Sequence, residues 1–291
     1  WISFNGEIYN YLELREELRF DYQFVTESDT EVILAAYQKW GIDFISRLNG
    51  MFAIALLDEK QNKLHLIRDR FGIKPLYYAI NDKELVFASE LKAILASKSF
   101  PRELNKSAVA DYFVYRYIPS PKTIWEGINK LPPANYITFD LNDLSQTTVC
   151  YWELTSSNEK AEIESLAIET EEILKASVKQ HARADVPIGS FLSGGYDSSA
   201  LALWMKEWGK PPATFSIGFE NWEKSEHYYA KTVADYLGLK NKAVVATADS
   251  LKLLKRMPEV YDEPIADISI VPTFMVSALA RKEVKAVFSG E

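Results

Sequence analysis

Residues 186–199, Val-Pro-Ile-Gly-Ser-Phe-Leu-Ser-Gly-Gly-Tyr-Asp-Ser-Ser, join a short apolar run to a turn that only small residues can make. The run ending at Leu192 reads as a buried strand, and Ala-Leu-Ala-Leu-Trp-Met at 200–205 opens an amphipathic helix. A strand feeding a glycine turn into a helix N-terminus gathers unpaired N–H groups and the positive end of the helix dipole at one point. Such a point suits a phosphate or pyrophosphate. The hydroxyls of Ser193, Ser198 and Ser199 add donors, and Asp197 is the kind of carboxylate that holds Mg2+ against phosphate oxygens. No Gly-Lys-Ser/Thr follows, so the loop is not a Walker A motif. The alternative is a plain glycine turn capped by serine.

The elements around this loop alternate. Helices over 161–181, 199–208, 226–237, 249–256 and 272–283 are expected between strands at 186–192, 213–219, 242–246 and 284–288. That order predicts a parallel sheet covered on both faces, with ligands at the carboxyl ends of its strands, where Ser193-Gly194-Gly195 and Ser289-Gly290-Glu291 both fall. The first half differs. Apolar runs at 52–58 and 63–69, and at 76–80 and 84–88, flank polar turns and read as two hairpins. Helical periodicity at 12–18, 30–40 and 91–97 completes an α+β layered domain, with Asp29 a plausible N-cap. Residues from about 100 to 160, with Pro119, Pro121, Pro132 and Pro133, read as connective. Two domains are expected, 1–145 and 160–291.

Composition narrows the class. With 47% apolar and 25% charged residues the chain reads as a soluble globular protein, and no apolar run approaches a membrane span. A net charge of −8 argues against a nucleic-acid partner. The single cysteine, Cys150, excludes an internal disulfide and suits a reducing cytoplasm; its apolar neighbours suggest a buried packing residue. His65, His181 and His227 lack metal-ligand spacing and read as structural. Trp1 opens inside an apparent strand and Glu291 closes directly after a Ser-Gly turn, so a fragment is expected. An oligomer remains open.

Four segments together carry a resemblance. Ser193-Gly194-Gly195-Tyr196-Asp197-Ser198 resembles the loop of PP-loop ATP pyrophosphatases. Phe4-Asn5-Gly6-Glu7-Ile8-Tyr9-Asn10-Tyr11 and Arg68–Tyr78 resemble parts of class II (N-terminal nucleophile) amidotransferases. With Asp262-Glu263-Pro264-Ile265-Ala266-Asp267 ahead of Ser289-Gly290-Glu291, the chain is similar to glutamine-hydrolysing asparagine synthetases over nearly its whole length. The resemblance implies an N-terminal-nucleophile hydrolase-like domain followed by an adenine nucleotide alpha hydrolase-like domain, each incomplete. It implies glutamine, ATP and Mg2+ as ligands, with aspartate or another carboxylate as acceptor.

By that resemblance Asn5 and the Gly6 N–H form an oxyanion hole, and Glu7 and Asp29 bind glutamine's backbone groups. Taken as residues alone, Asn5-Gly6 equally reads as a hairpin turn. Ser193, Gly194, Gly195, Asp197 and Ser198 would hold pyrophosphate and Mg2+. Phe191, Ile217, Ser289 and Gly290 would line the nucleotide pocket, and Glu291 would accept a proton from attacking ammonia. Phe191 and Ile217 would be core residues in any fold. Asp262 and Glu263 are either near the substrate or caps of the helix after Pro264. Arg68–Tyr78 reads as structural.

One departure stands out. Class II amidotransferases use an N-terminal cysteine whose own α-amine is the base, whereas position 1 here is Trp. Either upstream residues are missing or the glutaminase half is degenerate; Asn5, Gly6, Glu7 and Asp29 favour the former. The expected reaction is ATP-dependent, glutamine-hydrolysing synthesis of asparagine through an acyl-adenylate, releasing AMP and pyrophosphate. Amidation of a sugar carboxylate and a non-catalytic relative are the alternatives.

Overall fold

The strand Gly50–Asp58 is apolar on both faces, which requires a layer on each side. The structure, a computed structural model, describes residues 1–82, 84–156 and 162–290. It divides into two units, Trp1–Ser157 with Tyr261–Ala266, and Asn158–Val260 with Asp267–Glu291.

In the first unit, β1 (Ile2–Ile8), β2 (Gly50–Asp58), β3 (Lys63–Arg68), β7 (Asn135–Asp140) and β8 (Gln146–Cys150) form an antiparallel sheet in the order β1-β2-β3-β7-β8. A second sheet, β5-β4-β6, comprises β4 (Tyr77–Ile80), β5 (Leu85–Ala88) and β6 (Ile128–Lys130). Phe52, Ile54 and Leu56 of β2 pack with α1 (Tyr11–Leu18) and α2 (Asp29–Trp40). Ala53 and Ala55 face the other way, with Leu66, Ile137 and Phe139, toward Tyr78, Ile80 and Leu85. The period of two along β2 therefore places one sheet between helices and a second sheet. Beyond the second sheet, Leu91 and Ile94 of α3 (Leu91–Leu95) cover Ala79 and Ile128. The layers run helix, sheet, sheet, helix, as the layered α+β expectation requires.

Both hairpins form, β2 with β3 and β4 with β5; Lys83 of the second turn lies outside the described residues. The stretch read as connective instead holds α4 (Lys106–Tyr115), β6, β7 and β8. Asp29 is not the cap of α2. Ser28 takes that position, its Oγ accepting the Thr30 N–H at 3.1 Å, and Asp29 is the first helical residue.

Asp69, only 1% exposed, accepts N–H bonds from Phe52, Phe71, Ile73 and Lys74. Arg68 donates to the carbonyls of Gly72, Lys74 and Leu131. Arg68–Tyr78 is thus a knot of side-chain-to-backbone bonds that ties the two sheets together.

In the second unit β9 (Ile188–Phe191), β10 (Ala213–Phe219), β11 (Asn241–Ala246) and β12 (Ala286–Phe288) are all parallel, in the order β11-β10-β9-β12. On one face lie α5 (Ile163–His181), α6 (Tyr196–Glu207) and α7 (Glu226–Leu237). The other face packs against α9 (Ile270–Ala280), through Val276 and Ala280 on Phe215. The helix expected over 249–256 is a 3-10 segment, Ala248–Arg256, followed by the short α8 (Met257–Tyr261). Pro258 brings no N–H to the Leu254 carbonyl, which the Met257 N–H takes instead.

Cys150 is exposed, not buried. It ends β8, the edge strand, of which Val149 alone is half-buried and the other residues are exposed. The three histidines have structural partners. His65 lies between Tyr37 Oη and Thr138 Oγ1, and burial holds its pKa below the ordinary value. His181 reaches the Ser177 carbonyl and His227 the Ser225 hydroxyl. Among the described residues no helix is long and apolar enough to cross a membrane, and no group of three or more His, Cys, Asp or Glu could hold a metal ion.

Candidate functional sites

The phosphate-type loop sits where the parallel sheet changes direction. From β9 the chain moves outward to β10 and β11, and then returns to the opposite side of β9 as β12. The crevice beyond the carboxyl ends of β9 and β12 is the switch point at which open α/β sheets receive ligands. Ser193–Gly195 leaves β9 there, and Ser289-Gly290 follows β12. A Cβ on Gly290 would stand 3.2 Å from both the Asp197 Cβ and the Ser198 N, so the two turns touch.

The loop is held by its own hydroxyls. Ser193 Oγ and Ser198 Oγ lie 3.0 Å apart, Ser193 Oγ accepts the Gly195 N–H at 3.2 Å, and Ser198 Oγ accepts the Ser193 N–H at 3.3 Å. Gly195 is the N-cap of α6 and offers no side chain to its first turn, leaving those N–H groups to solvent or ligand. Asp197, in that turn, is exposed. Ser199 corrects one expectation: its hydroxyl is buried without a partner among the described residues, so it is not a donor to the loop's open side.

Gly194 is required twice. Its φ is +85°, and a Cβ there would come within 2.7–2.8 Å of the Tyr229 and Ala230 backbone on α7. Gly194→Ala is expected to destabilise the second unit by about 2–4 kcal/mol, summing left-handed strain and overpacking. Gly209→Ala is the control, because Gly209 has φ +73° with nothing within 4 Å. Urea unfolding of both variants separates the two contributions; equal losses would show that α7 does not press on the loop.

Phe191 and Ile217 lie on the α9 side of the sheet, in the cluster of Phe215, Val276 and Val284. Their half-buried side chains do core work in this position, whatever their ends touch. Glu291 lies outside the described residues.

The second candidate site is on β1. Asn5-Gly6 is neither a turn nor a hairpin; it sits mid-strand, Asn5 opposite Ala53 and Gly6 opposite Phe52. The glycine is needed because a Cβ would fall 2.1 Å from the Met51 carbonyl oxygen. Asn5 and Glu7, two residues apart, share a face of the strand. Asp29 is brought to the same strand end, its Oδ2 accepting the Ile8 N–H at 3.0 Å. Burial, together with the charges of Glu7 and Asp69, pushes the Tyr9 phenol up to about 12. Sequence reasoning missed Ser89, whose Oγ accepts from Asn5 Nδ2 at 3.1 Å. It follows β5 directly, a position at which only the three-dimensional pairing reveals a role. Cys150 has its own partner, the Trp152 carbonyl, at 3.3 Å from Sγ.

Residues 1–152 match the family model of the glutamine amidotransferase domain, and residues 169–291 match that of asparagine synthase. The chain belongs to the glutamine-hydrolysing asparagine synthetase family. It is 41% identical over its whole length to the putative asparagine synthetase (glutamine-hydrolyzing) 2 of Methanocaldococcus jannaschii, covering 57% of that protein. Identity to asparagine synthetase (glutamine-hydrolyzing) 1 of Bacillus subtilis is 38%, covering all of this chain and 46% of that one. The chain thus spans about half the length of these asparagine synthetase relatives. Among solved structures, the allosteric regulatory enzyme of purine biosynthesis aligns with a TM-score of 0.39 and 14% identity over 89% of this chain and 57% of its own. That likeness is too distant to speak to function.

Proposed function

We propose that the whole protein makes an amide in two coupled steps, with glutamine hydrolysed in the first unit and a carboxylate activated by ATP in the second. The observation that carries this reading is the Ser193–Gly195 turn, which enters α6 at the sheet's switch point with Ser289-Gly290 against it. Backbone N–H groups of the loop and of the first turn of α6 bind the β- and γ-phosphates. Asp197 alone suits Mg2+, which takes one or two carboxylates and completes its shell with phosphate oxygens. The ion would neutralise charge on the departing pyrophosphate.

Aspartate's carboxylate attacks the α-phosphorus, forming an acyl-adenylate. The step is needed because a carboxylate is a poor electrophile and AMP is a far better leaving group than hydroxide. Ammonia then displaces AMP, with Glu291 taking its proton. On the glutamine side, Asn5 and the Gly6 N–H face the developing oxyanion, and Glu7 and Asp29 hold the substrate's α-ammonium. The N-terminal cysteine that the class uses is not among these residues. A cytoplasmic setting suits the lone Cys150.

The test is isotopic. With aspartate labelled by 18O in its side-chain carboxylate, the full-length protein should place one label in AMP for each asparagine formed. Production of ADP and phosphate would refute the mechanism, and turnover with a hexuronate but not aspartate would reassign the acceptor.

A further inference from the structure

The segment Tyr261–Ala266 lies between residues of the second unit in sequence, yet it is built into the first. Two adjacent carboxylates fasten it there, and neither caps α9, whose N-cap is Ser269. Glu263 Oε2 meets Lys130 Nζ at 2.6 Å, with the two side chains 11% and 14% exposed. Its Oε1 accepts the Ile124 N–H at 2.8 Å. Asp262 accepts the Lys92 N–H through Oδ2 and meets the Lys92 ammonium through Oδ1, each at 3.2 Å. The Ala266 N–H closes the segment onto the Arg116 carbonyl at 2.8 Å.

These anchors straddle one end of the β5-β4-β6 sheet. Tyr77 of β4 stands opposite both Lys130 of β6 and Ala88 of β5. Burial, with Glu263's charge next in weight, pushes the Tyr77 phenol up to about 12. Ala88 is followed at once by Ser89, the hydrogen-bond partner of Asn5. Lys92 lies three residues further on, in the first turn of α3, and Leu91 just before it is fully buried. Asp262 thus holds one end of a four-residue stretch whose other end meets Asn5, a span of at most about 11 Å.

We propose that Asp262 is a positioning residue for glutamine hydrolysis. By fixing the backbone at Lys92 it sets Ser89, and through Ser89 it aims the Asn5 carboxamide at the place where the oxyanion forms. The proposal rests on the oxyanion role given to Asn5 above. A donor must sit about 2.7–3.1 Å from the developing charge, so a shift on the order of 1 Å removes rate without removing substrate affinity. The chain on either side of the segment, Met257–Val260 of α8 and Ile270–Ala280 of α9, belongs to the second unit.

Asp262 has φ +59°, a conformation that glycine and asparagine adopt readily. Asp262→Gly therefore removes the carboxylate without backbone strain, and Asp262→Asn keeps an oxygen for the Lys92 amide. In the full-length protein, Asp262→Gly should lower the kcat of glutamine hydrolysis about 10-fold, with KM within about twofold and ammonium-driven AMP formation unchanged. Asp262→Asn should restore kcat to within about threefold of the parent. Ser89→Ala should lower kcat similarly, and combining it with Asp262→Gly should add little, because both act through Asn5.

A kcat for Asp262→Gly within twofold of the parent overturns the proposal, as do multiplicative losses in the double variant. Asp262→Ser, whose hydroxyl is too short to reach the Lys92 amide, gives the same reading should the glycine variant not fold. Failure of the parent itself to release ammonia from glutamine would take down the functional reading and this proposal together; an active parent with an indifferent Asp262 would remove the proposal alone.

Discussion

Asp197→Ala in the full-length protein should leave glutamine hydrolysis within about twofold of the parent while AMP formation falls by 10²–10³ or more, the scale on which a preorganised charge partner acts in a transition state. The expectation follows from placement. Asp197 is an exposed carboxylate in the first turn of α6, beside a loop whose own hydroxyls are already engaged with one another. A carboxylate near a helix N-terminus and a polyanion is repelled by that anion unless a cation lies between them. Asp197→Asn should accordingly raise the Mg2+ concentration needed for half-maximal AMP formation. AMP formation by Asp197→Ala within tenfold of the parent would remove the loop from the chemistry.

Asn5→Ala should produce the complementary defect. Loss of one oxyanion donor costs about 10²–10³ in kcat, and ammonium-driven amide synthesis should persist because it bypasses glutamine. Asn5 is suited to the test because its Nδ2 already has a fixed direction, toward Ser89, and because alanine keeps the β1–β2 pairing at Ala53. Steady-state ammonia release separates the possibilities. A change in KM alone would mean that Asn5 binds ground-state glutamine and contributes nothing specific to the transition state.

Much of the architecture was legible because it is written in local pattern. Apolar runs around polar turns marked the two hairpins, and regular helix–strand alternation marked the parallel sheet. The stretch from 100 to 160 was not legible. Its prolines punctuate short strands, and α4, Lys-Ser-Ala-Val-Ala-Asp-Tyr-Phe-Val-Tyr, is apolar on several sides and buries only Ala108, so no stripe appears. Asn5-Gly6 shows another limit: taken as residues alone the pair reads equally as a hairpin turn, and only the neighbouring strand, whose Met51 carbonyl leaves no room for a Cβ, decides what the glycine answers to.

The order of residues by itself determined the chemistry available at each place: a glycine turn leading into a helix start, a carboxylate in its first turn, an amide side chain followed by glycine. These are properties of neighbours along the chain, set by backbone conformation and helix dipoles. Only the tertiary structure decided which places meet. Ser89 reaches Asn5 across 84 positions, and Asp262 reaches Lys92 across 170. Such bonds depend on how strands and segments pack after the chain has turned many times, and no local periodicity encodes that path.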